Sequence, residues 1–298
     1  MADTADRIVV FGDVIDDVIA TPSGSIRSDT DTPARIERRA GGSAANMATW
    51  LAEVGGAVDF VGRVGVMDLE RHSRLLSDAG VRPMLAGDHM LPTGTIVIIV
   101  EGDRRSMLTE RGANAALDPE AVSNSILEGA RVLHFTGYSL FGRRNGSGFR
   151  KLIKRARSRG VQVSVDPGSA GFIEDFGAKA FLKAISGASM IFPNLDEGIA
   201  LTGLTDPNAI VVELAKTFPV VALTLGTAGV IVTGPGEPPV FVVADGAVTL
   251  DPTGAGDAFC AGFLRSWIAT PDAQASAKAG VSLAARAVES IGGRPKLA

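Results

Sequence analysis

The chain is expected to fold as an α/β domain, a doubly wound mostly parallel sheet with helices on both faces plus a small β-sheet lid, and three observations predict this. Short β-rich runs alternate with helical ones, two polar extended stretches break the alternation, and two long helices close the chain. Strand-length runs lie at 8–11, 58–61, 132–135, 161–165, 190–192, 220–225 and 230–232. Between them helices fit 43–54, 69–79, 119–128, 148–159, 195–201 and 207–218, with 255–269 and 273–290 as the closing pair. No repeat or low-complexity segment interrupts the pattern, so residues 1–298 read as a single domain.

The two exceptional stretches predict the lid. Residues 13–39 are polar and broken by Pro22, Gly24 and Pro33; residues 84–111 read as extended, with strands at 95–101 and 106–110 joined by the turn-like Gly102-Asp103. Lid segments at about 13–40 and 84–112 would form a small sheet over the edge of the main domain, able to exclude water from a site beneath it.

Composition removes several function classes. With 46% hydrophobic and 21% charged residues the chain is neither disordered nor fibrous. Its apolar stretches are strand-length, far short of the roughly 20 residues that cross a bilayer. The opening segment, Met1 to Arg7, is acidic and lacks the features of a secretory signal, which predicts a cytoplasmic protein without membrane association. A net charge of −4 argues against nucleic-acid binding. The basic run from Arg143 to Arg159 reads as the solvated face of a helix whose other face holds Leu152, Ile153 and Ala156. The single cysteine, Cys260, stands in an apolar run and reads as a small buried hydrophobe. His72, His89 and His134 show no metal-ligand spacing.

The chemistry is concentrated in Asp251-Pro-Thr-Gly-Ala-Gly-Asp-Ala-Phe-Cys-Ala-Gly-Phe263. Gly254, Ala255 and Gly256 stand where an apolar helix begins, so their backbone N–H groups can converge on an anion at its positive end. Asp257 lies in the first turn, placed to take a proton from an attacking hydroxyl. A Walker A loop is excluded because the chain has no Gly-Lys pair, and the dinucleotide fingerprint is incomplete because Phe259 replaces its third glycine. A second motif, Gly41-Gly-Ser-Ala-Ala-Asn46, opens another helix with a flexible glycine pair, Gly41 and Gly42, and an amide that can donate to and accept from a polyol.

With Gly12-Asp-Val-Ile-Asp-Asp17 after the first strand, Asn194-Leu-Asp-Glu197, and Thr224-Leu-Gly-Thr-Ala-Gly229, these segments occur in the order found in the PfkB, or ribokinase-like, carbohydrate kinases, and the chain resembles that family over nearly its whole length. The resemblance implies a ribokinase-like fold and an ATP- and Mg²⁺-dependent transfer of phosphate to a primary hydroxyl of a small sugar-like substrate, with a monovalent cation such as K⁺ as a further possible cofactor. It assigns Asp257 as general base and Gly254, Ala255 and Gly256 as the anion hole. Thr224, Gly226 and Gly229 would shape the nucleotide turn, Asn194 and Glu197 would hold Mg²⁺ through water, and Asp251 would lie near phosphates and metal. Asp13, Asp17, Gly41, Gly42, Asn46 and Arg111 would contact the acceptor. Alternation along an extended chain points Asp13 and Asp17 the same way and leaves Asp16 facing solvent.

Departures shape the substrate expectation. Asp166-Pro-Gly-Ser-Ala170 replaces the Asp-x-Asn-x-Arg pattern of fructokinase-like and ketodeoxygluconate-kinase-like members. Between Gly12 and Asn114 the aromatics are Trp50 and Phe60, outside the lid, so a purine has little there to stack on; a sugar is favoured, and Tyr138 keeps a nucleoside open. A non-catalytic sugar- or nucleotide-sensing protein on the same fold is the reading from another class. Exposed lid edges predict a homodimer formed through the lid. Arg71 and His72 replace a usual glycine and receive no role from the sequence.

Overall fold

In β1 (Arg7–Phe11) Ile8 and Val10 enter one apolar cluster while Val9 and Phe11 enter another, all four fully buried. Side chains alternate across a strand, so a strand apolar at each of these positions needs cover on both faces. The computed structural model, which describes residues 6–102, 104–141 and 146–296, supplies that cover.

From β1 the chain runs through β2 (Ile15–Pro22) and β3 (Ala34–Gly41) into α1 (Ser43–Glu53), β4 (Ala57–Gly65), α2 (Leu69–Asp78) and β5 (Arg82–Asp88). A second excursion forms β6 (Gly94–Glu101) and β7 (Arg104–Glu110). Alternation then resumes with α3 (Asn124–Leu127), β8 (Ala130–Thr136), α4 (Gly146–Arg157), β9 (Gln162–Asp166), α5 (Ala170–Phe176), α6 (Ala178–Ala184), β10 (Met190–Ile191), α7 (Leu195–Thr202), α8 (Pro207–Ala215) and β11 (Val220–Thr224). The strands β12 (Gly229–Thr233) and β13 (Val240–Val243) and the long helices α9 (Ala255–Ala269) and α10 (Ala273–Val288) follow.

The main sheet has the order β13-β12-β11-β10-β9-β8-β1-β4-β5, parallel from β11 to β5, with β12 antiparallel to both β11 and β13 at one edge. Residues of α1, α2, α9 and α10 fill the cluster on one face, and those of α3 through α8 the cluster on the other. Each large apolar side chain buried this way contributes roughly 1.5–3 kcal/mol. Helix α9 alone buries Phe259, Phe263, Leu264 and Trp267, so the glycine loop at its start is anchored to the core. The order reverses at β1, with β4 on one side and β8 on the other. In open α/β sheets the crevice at such a reversal, beyond the carboxyl ends of the strands, is where ligands bind.

A second sheet, β3-β2-β6-β7, forms the lid, with β2 and β6 parallel and the other pairs antiparallel. Register puts Asp17, Ile96 and Thr109 in one row and Ile19, Ile98 and Met107 in the next, all on the face toward the main domain. The opposite face carries Val18, Ala20, Ile36, Val97, Ile99 and Leu108.

Several expectations need correction. Residues 84–88 belong to β5 in the main sheet rather than to the lid, which takes its second segment from 94–110. The helix expected over 119–128 is broken into a 3₁₀ turn at Pro119–Ala121 and the short α3, because Asp118 and Ser123 each cap a separate turn. Strand β13 and helices α5 and α6 were not anticipated: β13 is short, and Gly177 at φ 89° separates two helices of seven residues each. On α4, Arg150, Lys151, Lys154 and Arg157 are exposed over a buried row of Phe149, Leu152, Ile153 and Ala156, as a solvated face requires. Asp103 of the lid turn and Arg143 and Arg144 of the basic run lie outside the described residues. Among the described residues no helix is long and apolar enough to cross a membrane.

Candidate active site

Helix α9 starts at Gly254, whose φ of 80° lies in the left-handed region, and no side chain caps it. The first N–H groups of a helix have no acceptors within it, so this end offers donors to an anion. Ala255 N–H leans on the Pro252 carbonyl at 3.3 Å, which leaves Gly254 and Gly256 as the better donors of the expected trio.

Asp257 in that first turn faces the start of α1. One carboxylate oxygen accepts from Ser43 Oγ at 2.6 Å and the other from Asn46 Nδ2 at 3.0 Å. Burial pushes its pKa up to about 8; the Ser43 hydrogen bond opposes this, the Asp166 charge adds to it, and Asn46 and Asp13 act in the same two senses. A half-buried carboxyl poised near neutrality, with both oxygens oriented, can accept a proton from a hydroxyl.

Asp257 lies in the wall of a cavity of 480 Å³, within the usual size of small-molecule sites. Its lining combines the polar Asp13, Asp17, Asn46 and Arg111 with the aromatic Tyr138, Phe141 and Phe172 from the main domain, and adds Ile96, Ile98 and Met107 from the lid. Tyr138 and Phe172 meet edge to face at 5.9 Å, and Phe141 lies 5.3 Å from Phe172. The shortage of aromatics read from residues 12–114 is therefore made good by the turn after β8 and by helix α5, which sequence distance concealed.

The expected acceptor residues differ in their environments. Asp13 accepts from Ser43 N, Ala44 N and Thr136 Oγ1, so it caps α1 from across the cleft. Asp17 has no hydrogen-bond partner among the described residues and is pushed by burial up to about 6, against the pull of Arg294. Gly41 leaves it room, since a Cβ there would sit 2.2 Å from an Asp17 oxygen, and Gly42, at φ 96°, lies against the Asp13 carbonyl. Arg111 donates through Nη2 to the Tyr138 carbonyl at 2.5 Å, and its buried Nη1 has no partner among the described residues. Burial lowers its pKa.

A second cavity of 380 Å³ adjoins the first, sharing Thr224, Gly256 and Phe259 with it. Gly226 and Gly229 line it with Ala255, Val281, Ala284 and Val288. A side chain at Gly229 would meet the Val242 carbonyl at 2.1 Å, so the turn can pass this close to β13 only without one. Asn194 and Glu197 form a full capping box on α7: Asn194 Oδ1 accepts from Glu197 N at 2.9 Å, and Glu197 accepts from Asn194 N at 3.0 Å. Burial drives Glu197 up to about 7, and burial together with the Glu197 charge raises Asp166 well above the carboxylate range. Two buried acids that resist ionisation are a donor set of hard oxygens that a divalent cation would suit. Among the described residues, no three acidic, histidine or cysteine side chains converge closely enough to hold a metal by themselves.

Asp251 opens the glycine loop beside a third cavity, which shares Thr253 with the first. Its oxygens accept from Arg105 at 2.7 Å, Thr253 N at 2.9 Å and Gly292 N at 2.9 Å, so the lid is latched to the glycine loop here and the carboxylate is already engaged. Burial works to raise its pKa, but Arg105 and Thr253 hold it down at about 2. Asp16 is not solvated: Arg71 bridges it to Asp68 and His72 approaches it at 3.4 Å, which ties the lid to α2 and gives Arg71 and His72 a place. Cys260 is buried with its sulfur 3.7 Å from Asp166. Sequence reading missed Arg105 and Arg294, because neither stands in a motif and each reaches the site across more than 140 residues of chain.

These features have counterparts in known proteins. The profile described as pfkB family carbohydrate kinase matches residues 5–297. Adenosine kinase of Saccharomyces cerevisiae is 28% identical, over 85% of this chain and 78% of that protein. The bifunctional protein HldE of Klebsiella pneumoniae is 27% identical over 84% of this chain, and this chain spans about half of its length, 53%. The crystal structure of adenosine kinase from Sinorhizobium meliloti superposes with a TM-score of 0.87 at 26% identity, covering 98% of this chain and 96% of that one. A lidded parallel sheet, two adjoining cavities and a glycine loop between them accord with a match of this extent: the chain belongs to the pfkB family of carbohydrate kinases.

Proposed function

We propose that this kinase transfers the γ-phosphoryl group of ATP to the primary hydroxyl of a sugar-bearing acceptor, and that the acceptor is a nucleoside rather than a free sugar. The observation that carries the choice is the aromatic cluster of Tyr138, Phe141 and Phe172 in the lining of the larger cavity, beside its carboxylates and amide. Asp17 and Asn46 suit ribose hydroxyls, and the aromatic cluster with Ile96 and Ile98 of the lid suits a planar base. The adenosine kinases among its relatives support the same reading.

In this reading ATP occupies the cavity at Gly226 and Gly229, with its terminal phosphate at the start of α9. The acceptor hydroxyl lies beside Asp257, which takes its proton as the hydroxyl oxygen attacks phosphorus and the bond to the ADP oxygen breaks. Ser43 and Asn46 hold the carboxylate for that transfer, while the N–H groups at Gly254 and Gly256 take up the charge on the transferring group. Glu197, through water, would hold Mg²⁺, which supplies charge neutralisation to the phosphates. Closure of the lid through Arg105 and Asp251 keeps water out.

A panel of adenosine, other nucleosides, ribose and fructose with ATP tests this directly. Adenosine is expected to give the largest kcat/KM, and Phe172→Ala to raise its KM about tenfold while leaving ribose little changed, since stacking a base on an aromatic ring is worth roughly 1–3 kcal/mol. Preference for a free sugar, unaffected by Phe172→Ala, would reverse the assignment. The apolar outer lid face, where Ile36 and Leu108 are 63% and 61% exposed, supports pairing of two chains lid to lid. The expected mass in solution is that of a dimer, and Leu108→Lys should yield the monomer.

A further inference from the structure

The segment after α10 runs between the start of α1 and the glycine loop. Gly292 N–H donates to Asp251, and the Gly293 carbonyl accepts from Trp50 Nε1 of α1 at 2.9 Å. Gly293 packs so closely on α1 that a Cβ there would sit 2.3 Å from Asn46 Nδ2, and Gly254 faces its backbone from the other side. Arg294 then reaches back between the two, with Nη2 donating to the Gly41 carbonyl at 2.8 Å and Nε to Asn46 Oδ1 at 3.3 Å.

With Asp257 ionised, as it must be to accept a proton, the chemistry of these three groups admits one arrangement. A guanidinium only donates and an ionised carboxylate only accepts, so an amide held between them must turn its oxygen to the first and its NH₂ to the second. Without Arg294, the Asn46 amide could rotate and present its oxygen to Asp257, replacing a hydrogen bond with repulsion. The Gly41 contact fixes the guanidinium at the hinge where the lid strand β3 meets α1.

We propose that Arg294 is a positioning residue for phosphoryl transfer: it locks the Asn46 carboxamide so that Nδ2 holds the Asp257 carboxylate in its reactive orientation, and ties that lock to the lid hinge at Gly41. This rests on Asp257 acting as the base. Arg294 touches neither the acceptor hydroxyl nor the phosphate in this role. Burial disfavours the charged guanidinium and brings its pKa to about 10, against the charges of Asp17, Asp16, Asp13 and Asp257, which favour it.

The experiment uses Arg294→Met, which removes the donors but keeps an apolar stem, and Arg294→Lys, which keeps the charge but not the planar fork. In the unliganded, ¹⁵N-labelled protein the Asn46 side-chain amide pair, assigned by its loss in Asn46→Ala, is expected to be distinct and slow to exchange in the wild type. In both variants it is expected to broaden or average. With ATP and adenosine, Arg294→Met is expected to lower kcat about a hundredfold, the cost of a small misplacement of a reacting group, with the KM for ATP unchanged. In the Asn46→Ala background the same substitution is expected to cost less than about threefold, since the two act through one contact. Unaltered Asn46 signals in a folded Arg294→Met protein, or equal losses in the two backgrounds, would overturn the proposal. Wild-type protein that turns over no acceptor would sink the kinase reading of Asp257 instead, while the amide signals still report on the lock.

Discussion

Asp257→Asn is expected to cut kcat by about a thousandfold, as loss of a general base does, while ATP affinity stays within about twofold of wild type. The substitution keeps the shape of the side chain, so the Ser43 and Asn46 contacts at 2.6 and 3.0 Å test charge and proton acceptance rather than packing. Stability should change in a direction fixed by linkage. The folded-state pKa of about 8 lies above the ordinary 3.8, so the native protein holds a proton that the unfolded chain has released across that interval. The stability this carboxyl contributes is complete below pH 3.8 and declines as pH rises through about 8. Asparagine carries no such dependence. The melting temperature of Asp257→Asn relative to wild type should therefore climb as pH is raised from about 5 to about 9. Wild-type kcat should rise over the same window and level off above pH 8, because only the ionised carboxyl accepts a proton. Thermal scans and pH–rate profiles of the two proteins check this; a variant that turns over normally, or a melting difference flat with pH, would remove Asp257 from the role.

How much of this was legible in the sequence depended on whether the signal was local. Strands such as β1, β8 and β11 are apolar runs with cover on both faces, and α9 is an apolar run entered through small residues, so each announces itself within a dozen residues. Asp257, Asn46 and Glu197 sit at helix starts whose spacing is equally local. What stayed hidden was set by tertiary contact. Arg105 lies on β7, exposed along its whole length and outside the strand expected at 106–110, yet it latches Asp251 across the cleft. Arg294 follows two glycines whose need is tertiary: Gly292 holds φ 101° beside Arg39, and a Cβ on Gly293 would sit 2.3 Å from Asn46 Nδ2 of α1. Asp16 seemed destined for solvent because strand alternation says which face a residue takes and nothing about what covers that face, here Arg71 and His72 of α2. Asp251 is the instructive case among the motif residues: its place in the loop is as expected, while its oxygens are held by a lid arginine and two backbone donors.

Gly254→Ala and Gly256→Ala, two residues apart in one loop, should fail in different ways. At Gly254 the backbone has φ 80°, and an added Cβ would sit 2.6 Å from both the Cα and the carbonyl oxygen of Gly293. Neither atom belongs to a side chain that could swing aside, so strain and clash add, and a loss of about 3 kcal/mol in folding stability is expected. Turnover should fall about a hundredfold as the first N–H groups of α9 are displaced from the phosphate. Gly256 is helical and a Cβ there would meet nothing within 4 Å. Alanine is the better helix former by about 1 kcal/mol, so Gly256→Ala should be as stable as wild type or more so. The open space beside Gly256 is the junction of the two cavities, however, and a methyl group there would stand where the transferring phosphate must approach the backbone. The expected result is a stable protein with kcat reduced about a hundredfold, separating the glycine needed by the fold from the glycine needed by the reaction. Denaturant unfolding beside single-turnover kinetics reads both quantities, and a Gly256→Ala protein with normal turnover would show that phosphate does not pass over this helix end.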